Sequence, residues 1–481
     1  MEHKALSRKR KQEEMGIDGA NKQHRSDNGG IDKLPDDVLI NIVSHMSFKE
    51  AVRASVLARR WGRLWKFFHG TLRFDDGDIS TRYLLAIKKL ESCVNTLNVH
   101  EGGHVDGVVV HFNVHLRGVL RGGFYHPTRR ALDNLVYFAT RKEVQTLEVK
   151  LSSHNGYDYD YCEYFFPHVG LLKSHSSFSS LRALRLSRVG VTDELVCYLL
   201  ASCRSLEELC IRSADLLKNL RVIDPPSLRA LEITRCCSIQ SLEISAVGLV
   251  SLTYGGRKSR LLLKNIPNVR ELALVDESCL YFVREPEKHS SYSPQLEKLV
   301  LDIRKLDGRY GRIVAPPDSP QLCSLIRLEV KVFILLGRRL LFTPLIKGSP
   351  HLREFRIELS YSVFPQNNKK PPFPGIISKT GRLVHRNLKV VEMAGYIGCS
   401  CAEELLLVLT RKCPSIERIV IDTASDYYSD DPRLYVEDLS KGDRLTYGRH
   451  LHMRATTRNV AKERAQRFVS KIPKQIKVSV S

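Results

Sequence analysis

One pattern constrains this chain more than any other: an apolar residue, a second three positions on and a third two beyond that, repeated along most of its length. Instances are Val144/Leu147/Val149, Leu181/Leu184/Leu186, Leu206/Leu209/Ile211, Leu228/Leu231/Ile233 and Ile239/Leu242/Ile244. The series continues with Val269/Leu272/Leu274, Leu296/Leu299/Leu301, Leu325/Leu328/Val330, Leu352/Phe355/Ile357, Leu388/Val391/Met393 and Ile416/Ile419/Ile421. The last two positions of each copy alternate, as one face of a short strand requires. Most copies stand roughly 20 to 30 residues apart, which leaves room for a turn and a returning helix. Thr192 to Ala201 reads as such a helix, with Asp193 and Glu194 early and Leu195, Val196, Leu199 and Leu200 behind. One such unit cannot bury its apolar face alone, so the expected fold is a stacked solenoid with a parallel sheet. Between residues 228 and 254 the copies come only about ten apart. No helix fits there, and bare strand–turn units are expected.

The N-terminal part has a different period. Leu34-Pro35-Asp36-Asp37 places a proline and two acids where a helix starts. Val38, Leu39, Ile42, Val43 and Met46 follow at helical spacing. Ser47-Phe48-Lys49-Glu50 has the form of a capping box, in which the Ser and Glu side chains each satisfy a free backbone donor. Ala51, Val52, Ser55 and Val56 make a second small apolar stripe, and Leu57, Trp61, Leu64 and Trp65 a third. Trp61 and Trp65 are the only tryptophans of the chain. The expectation is two or three short helices packed around them.

In order and spacing this segment resembles the F-box, from Leu34-Pro35-Asp36-Asp37-Val38-Leu39 through Ala51-Val52-Arg53-Ala54-Ser55-Val56-Leu57 to Arg59-Arg60-Trp61. Met46 and Ala58 depart mildly from that pattern. The resemblance implies binding to a Skp-type adaptor and, through it, to the cullin scaffold of an SCF ubiquitin ligase. Leu34, Pro35, Val38, Leu39, Ile42, Val52, Val56 and Trp61 would contact the adaptor or support the surface that does. The repeats have the period of leucine-rich repeats. Farther on, His385 to Tyr396, Glu403 to Leu409 and Cys413 to Asp422 run strand, helix, strand. This run resembles the FBD unit at the C-terminus of many plant F-box/leucine-rich-repeat proteins.

The expected fold class is therefore α/β: a short helical F-box, an irregular leucine-rich-repeat solenoid with a parallel sheet, and an FBD-like cap. The organisation read from the sequence is a disordered basic arm at 1–29, the F-box at 30–75 and the solenoid at 76–385. An FBD-like unit at 386–425 and a basic tail at 426–481 complete it. Residues 359–387, rich in proline, read as a long loop.

Charge bears on the partners. The chain carries 75 Lys and Arg against 53 Asp and Glu, a net +22. Arg8, Lys9, Arg10 and Lys11 resemble a nuclear localisation signal. Lys441 onward is basic again, with Val460 to Ile472 capable of forming a basic helix; such runs are usually solvated tails. No apolar run approaches the roughly 18 residues of a membrane span, and no secretory leader is visible at the start. Twelve cysteines then read as reduced thiols. A protein of the nucleus and/or cytoplasm is expected.

Enzyme signatures are weak. His111 and His115 alternate with Val110, Phe112, Val114 and Leu116, which reads as a half-buried strand rather than a metal pair. Cys236-Cys237 and Cys399-x-Cys401 lack the paired spacing of zinc sites. Gly255-Gly256-Arg257-Lys258-Ser259 lacks the phosphate-loop spacing. Asp158, Asp160 and Glu163, set among tyrosines, form an acidic aromatic loop. No catalytic residue, metal or cofactor is expected.

The function implied is a non-enzymatic substrate adaptor that binds an unknown target through its repeats. Candidate target-binding residues flank the inward leucines: Arg185, Glu208, Arg212, Glu232, Lys298, Asp302, Arg327, Lys331, Glu354 and Arg356, with Ser187, Glu243 and Glu329 beside them. The alternatives are a nuclear nucleic-acid-binding protein that uses its basic tails, or an F-box scaffold without ubiquitination.

Overall fold

A computed structural model describes residues 30–56, 60–75, 83–113, 127–152, 164–167, 169–170, 178–256, 260–304, 321–333, 342–360, 384–424 and 458–481. The chain divides into two compact units, Met1–Phe68 and His69–Ser481.

In the first unit, Pro35 lies just before the helix Asp36–Ser44 rather than inside it, and Asp36 and Asp37 fill its first turn. Leu39 and Val43 face inward from this helix, and Phe48, Ala51 and Ala54 from the next, Phe48–Ala54. Trp61, Leu64 and Phe68 complete the core, and Phe48 meets Phe68 edge-on at 5.4 Å. The capping box forms. The Ser47 hydroxyl accepts from the Glu50 backbone N–H at 3.4 Å, and the Glu50 carboxylate accepts from the Ser47 N–H at 3.0 Å. The Ser47 hydroxyl also donates to the Glu50 carboxylate at 2.6 Å, and this bond together with that from the Ser47 N–H holds the Glu50 carboxyl below its usual range. Arg60 ties the motif together: Nε donates to the Asp36 carboxylate at 2.7 Å and Nη2 to the Leu34 carbonyl at 2.6 Å.

The second unit is the solenoid. Among the described residues its main sheet has 14 strands, from Thr71–Asp75 to Lys477–Val480, and every neighbouring pair is parallel. The strand Thr71–Asp75 pairs with Gly107–Asn113, so the sheet begins inside the stretch expected to close the F-box. The repeated apolar position lines up across strands as Leu184, Leu209, Leu231, Leu252, Leu272, Leu299, Leu328, Phe355, Val391 and Ile419. All of these are buried. Each strand buries a face that it could not bury alone, which is why stacking stabilises the array.

The ten-residue spacing has a specific solution. Asn219–Ile223, Ser241–Ser245 and Arg260–Lys264 do not enter the main sheet; they form a second, three-stranded parallel sheet. Two successive copies thus make one coil, with one strand in each sheet, and the second strand replaces the helix. Leu242 and Ile244 bury on this second sheet, so Glu243 lies there and not on the surface for which it was read. Corners are made by residues with positive φ at strand ends, including Arg188 (58°), Ser213 (53°), Asp224 (43°), Arg235 (56°) and Asp276 (57°). Each donates its N–H to the end of the next strand in its sheet, as Arg188 does to the Arg212 carbonyl. The ladder therefore continues around the corner and offsets the strain.

At the C-terminal end the strand Val390–Ala394, the helix Ser400–Lys412 and the strand Arg418–Ile421 form one more repeat. It is not the last. Residues 458–469 are helical, and Lys477–Val480 pairs with Arg418–Ile421 as the fourteenth strand. The expected solvated tail is, over 458–481, an integral repeat. Its helix buries Ala461, Ala465 and Phe468, and the turn that follows buries Ile472, an apolar stripe hidden among the cations. Arg464 lies over Gly398, whose φ of 83° and missing Cβ leave room for it, and donates to the Ile397 carbonyl at 3.1 Å.

Candidate protein-binding surfaces

The F-box candidates fall into two sets. Leu39 and Trp61 are buried and hold the helices together, while Leu34 and Ile42 are half-buried. Pro35, Val38, Val52 and Val56 are exposed; Val38 and Val52 are each 39% exposed and Val56 85%. The inward stripe is Phe48, Ala51 and Ala54, which turns Val52 and Val56 outward rather than into the core. Ile31 and Phe67 are exposed apolar residues that the sequence reading did not single out, and Met46, read into the first apolar stripe, is exposed as well. A unit this small that leaves so many branched and aromatic side chains in water has the character of half an interface.

The outward face of the main sheet behaves in the opposite way. Its charges lie in register and neutralise one another. Arg185 grips Glu208 through Nε at 2.7 Å and also approaches Glu148 at 3.9 Å. Arg212 grips Glu232 in the same two-pronged manner at 2.6 and 2.7 Å. Burial pushes the Glu232 carboxyl upward, but the bonds from Arg212 outweigh it and hold the group below its usual range. His111 hydrogen-bonds Glu148 at 2.6 Å, which places this histidine beside the same ladder. Toward the C-terminal half, Arg327 pairs with Glu354 at 3.1 Å, Arg356 with Glu392 at 3.4 Å, and Lys298 with Glu271 at 3.6 Å. Lys331 bridges Glu329 and Glu358, each at 3.4 Å. Arg304 joins Asp302 at 2.6 Å to the fully buried Glu358 at 3.2 Å. All ten candidate target-binding residues therefore sit on this face, each next to an opposite charge. Glu148, Arg304, Glu358 and Glu392 belong to the same ladders and were missed, because only register shows which charges meet.

Between the two ladders runs a stretch of small or uncharged residues: Ala230, Ser251, Thr253, Ala273, Val275 and Val300. On the other side of the sheet, Tyr164 is buried and donates to Asp133 at 3.0 Å. Beside them is a cavity of about 450 Å³ walled by Tyr137, Phe165, Phe166 and Leu195. Asp133 carries a pKa raised by burial.

No group of three His, Cys, Asp or Glu residues that could hold a metal is found among the described residues. Burial pushes the Cys93, Cys203 and Cys210 thiols up to about 12. No described helix is long and apolar enough to cross a membrane. Arg8–Lys11, His115, Asp158, Asp160, Glu163 and Arg257–Ser259 lie outside the described residues, as does most of the proline-rich loop.

Comparison with known proteins agrees with this architecture. The family model for the F-box domain matches residues 31–70, and that for the At1g61320/AtMIF1, LRR domain matches residues 159–481. The F-box protein At5g03100 of Arabidopsis thaliana is 26% identical over 221 residues, 43% of this chain and 64% of that protein. The F-box protein At1g80960 of the same plant is 23% identical over 427 residues, 82% of this chain and 84% of that one. The F-box/FBD/LRR-repeat protein At3g51530, also from Arabidopsis thaliana, is 32% identical over 219 residues, 42% of this chain and 43% of its own length. With a helical F-box unit at 31–70 and the At1g61320/AtMIF1-type repeat domain matched over most of its length, the chain belongs to the F-box/leucine-rich-repeat proteins.

Proposed function

We propose that this protein is a substrate-recognition adaptor of an SCF-type ubiquitin ligase, which binds a Skp-type adaptor through its F-box and a target protein through its repeats. The observation that carries the reading is the exposed apolar surface of a unit of some forty residues: Val38, Val52 and Val56 stand in water while Leu39 and Trp61 build the scaffold beneath them. The chain itself makes and breaks no bond in this reading. It raises the effective concentration of a target next to the enzyme that the cullin recruits. Residence in the nucleus and/or cytoplasm belongs to the same proposal and rests on the sequence alone. A nucleic-acid reading draws less support than the net charge suggests. Arg464 and Lys471 are spent on the solenoid, at the Ile397 carbonyl and the Glu403 carboxylate.

The test is capture of the purified chain by a Skp-type adaptor, beside a Leu34→Ala/Pro35→Ala variant. The reading expects stoichiometric capture by the wild type and loss in the variant. A folded wild-type chain that captures no adaptor contradicts it.

A further inference from the structure

The last strand of the main sheet differs from those before it in three ways that converge on one edge. The first is hydrogen bonding. Lys477 donates its backbone N–H to the Glu417 carbonyl, and Ser481 donates its own to the Ile421 carbonyl. In a parallel ladder, alternate residues turn to alternate sides. Residues 477, 479 and 481 are thus turned to the neighbouring strand, which directs the N–H and C=O of Val478 and Val480 to the opposite edge. Among the described residues no strand pairs with that edge.

The second is burial. Val478 and Val480 are the register partners of Ile419 and Ile421, and those in turn of Val391 and Met393. The four inner residues are 0% exposed, whereas Val478 and Val480 remain partly exposed. The core-facing row is therefore left half covered at its end.

The third is charge. Arg418 and Lys477 are adjacent in register on the outward face, and Lys474 precedes them. All three are exposed. None has an acidic partner among the described residues, in contrast to the paired ladders of Arg185, Arg212, Arg327 and Arg356.

We infer that this edge is a docking site for an extended, acidic segment of a target protein, which adds as a further strand. Its backbone would take up the free groups of Val478 and Val480, and its inward side chains would cover the two valines. Its outward carboxylates would meet Lys474, Lys477 and Arg418. This is strand addition with charge selecting the partner. The inference deepens the target-binding half of the function proposed above and rests on it.

The experiment uses the full chain in complex with the Skp-type adaptor. The probe is a fluorescent ten-residue peptide of alternating Val and Glu, with an alternating Val and Lys peptide as control, read by anisotropy. The Val–Glu peptide is expected to bind, to weaken with added salt, and to outbind the Val–Lys peptide at least tenfold. Lys474→Glu/Lys477→Glu should lower its affinity at least tenfold. Val478→Pro, which removes only an outward N–H, should lower it about as much in a variant that keeps the wild-type melting temperature. No binding by the wild type, or equal affinity for both peptides, overturns the inference. So does unchanged affinity in the charge-reversal variant. Adaptor capture is measured on the same samples, so that loss of the adaptor reading and loss of this site register separately.

Discussion

The F-box and the outward face of the repeats solve opposite problems. The F-box leaves Val38, Met46, Val52 and Val56 exposed and buries only what is needed to hold three short helices. Along the ladders from Arg185 to Arg356 the repeat face carries many charges and pairs them, so that little of its ionic character there is left unspent. The difference shows that a cluster of charges read from sequence is poor evidence for a charged partner. Register decides whether the charges look outward or at one another. A few aliphatic side chains held in water by a small scaffold point more directly to an interface.

Removing the scaffold should have the largest effect. Leu39→Ala leaves a cavity under the first F-box helix and should cost about 2–5 kcal/mol. Calorimetry on the full chain should show the loss in the F-box transition while the solenoid transition stays in place. Next comes the buried end of the repeat ladder. Glu358→Gln leaves Arg304 and Lys331 with one carboxylate fewer in a dry site, and should cost about 1–3 kcal/mol by urea unfolding. An unchanged midpoint would mean that these charges are solvated and would weaken the contrast drawn above.

The exposed F-box positions should behave differently. Val52→Asp/Val56→Asp should leave stability within about 0.5 kcal/mol. The same change should reduce adaptor affinity on the order of tenfold to a hundredfold, or about 1.4–2.8 kcal/mol. Arg212→Ala at the half-exposed ladder should cost less than about 1 kcal/mol. The smallest effect concerns pH. Hydrogen bonds from Ser47 hold the Glu50 carboxyl below its usual range. Their support is present above the ordinary carboxylate pKa and is lost as pH falls through the lowered value. In Glu50→Gln that acid-side loss in helix stability should disappear from the melting profile.

Much of the architecture was legible, because the two periods, 3.6 in the F-box and the repeated strand motif after it, are imposed by burial. What was not legible has physical reasons. At residues 228–254 the motif reports a buried strand but not the sheet it joins, so Glu243 was assigned to the wrong side. Val52 and Val56 share a stripe with Ala51, and only packing shows that Ala51 and Ala54 take the inward side. At 458–481 the abundance of Lys and Arg outweighed the spacing of Ala461, Ala465, Phe468 and Ile472, although that spacing already marks a helix with one apolar face. The pairing of Arg304 with Glu358, 54 residues apart, follows from register and has no local sequence signal.

The most direct measurement of the central claim is size-exclusion chromatography with light scattering on the full chain mixed with a Skp-type adaptor. Wild type and Val52→Asp/Val56→Asp should be run side by side at equal stability. The account predicts a one-to-one complex for the wild type and separate peaks for the variant. Co-elution of adaptor with both would contradict the assignment of the exposed valines, and separate peaks for both would contradict the adaptor function itself.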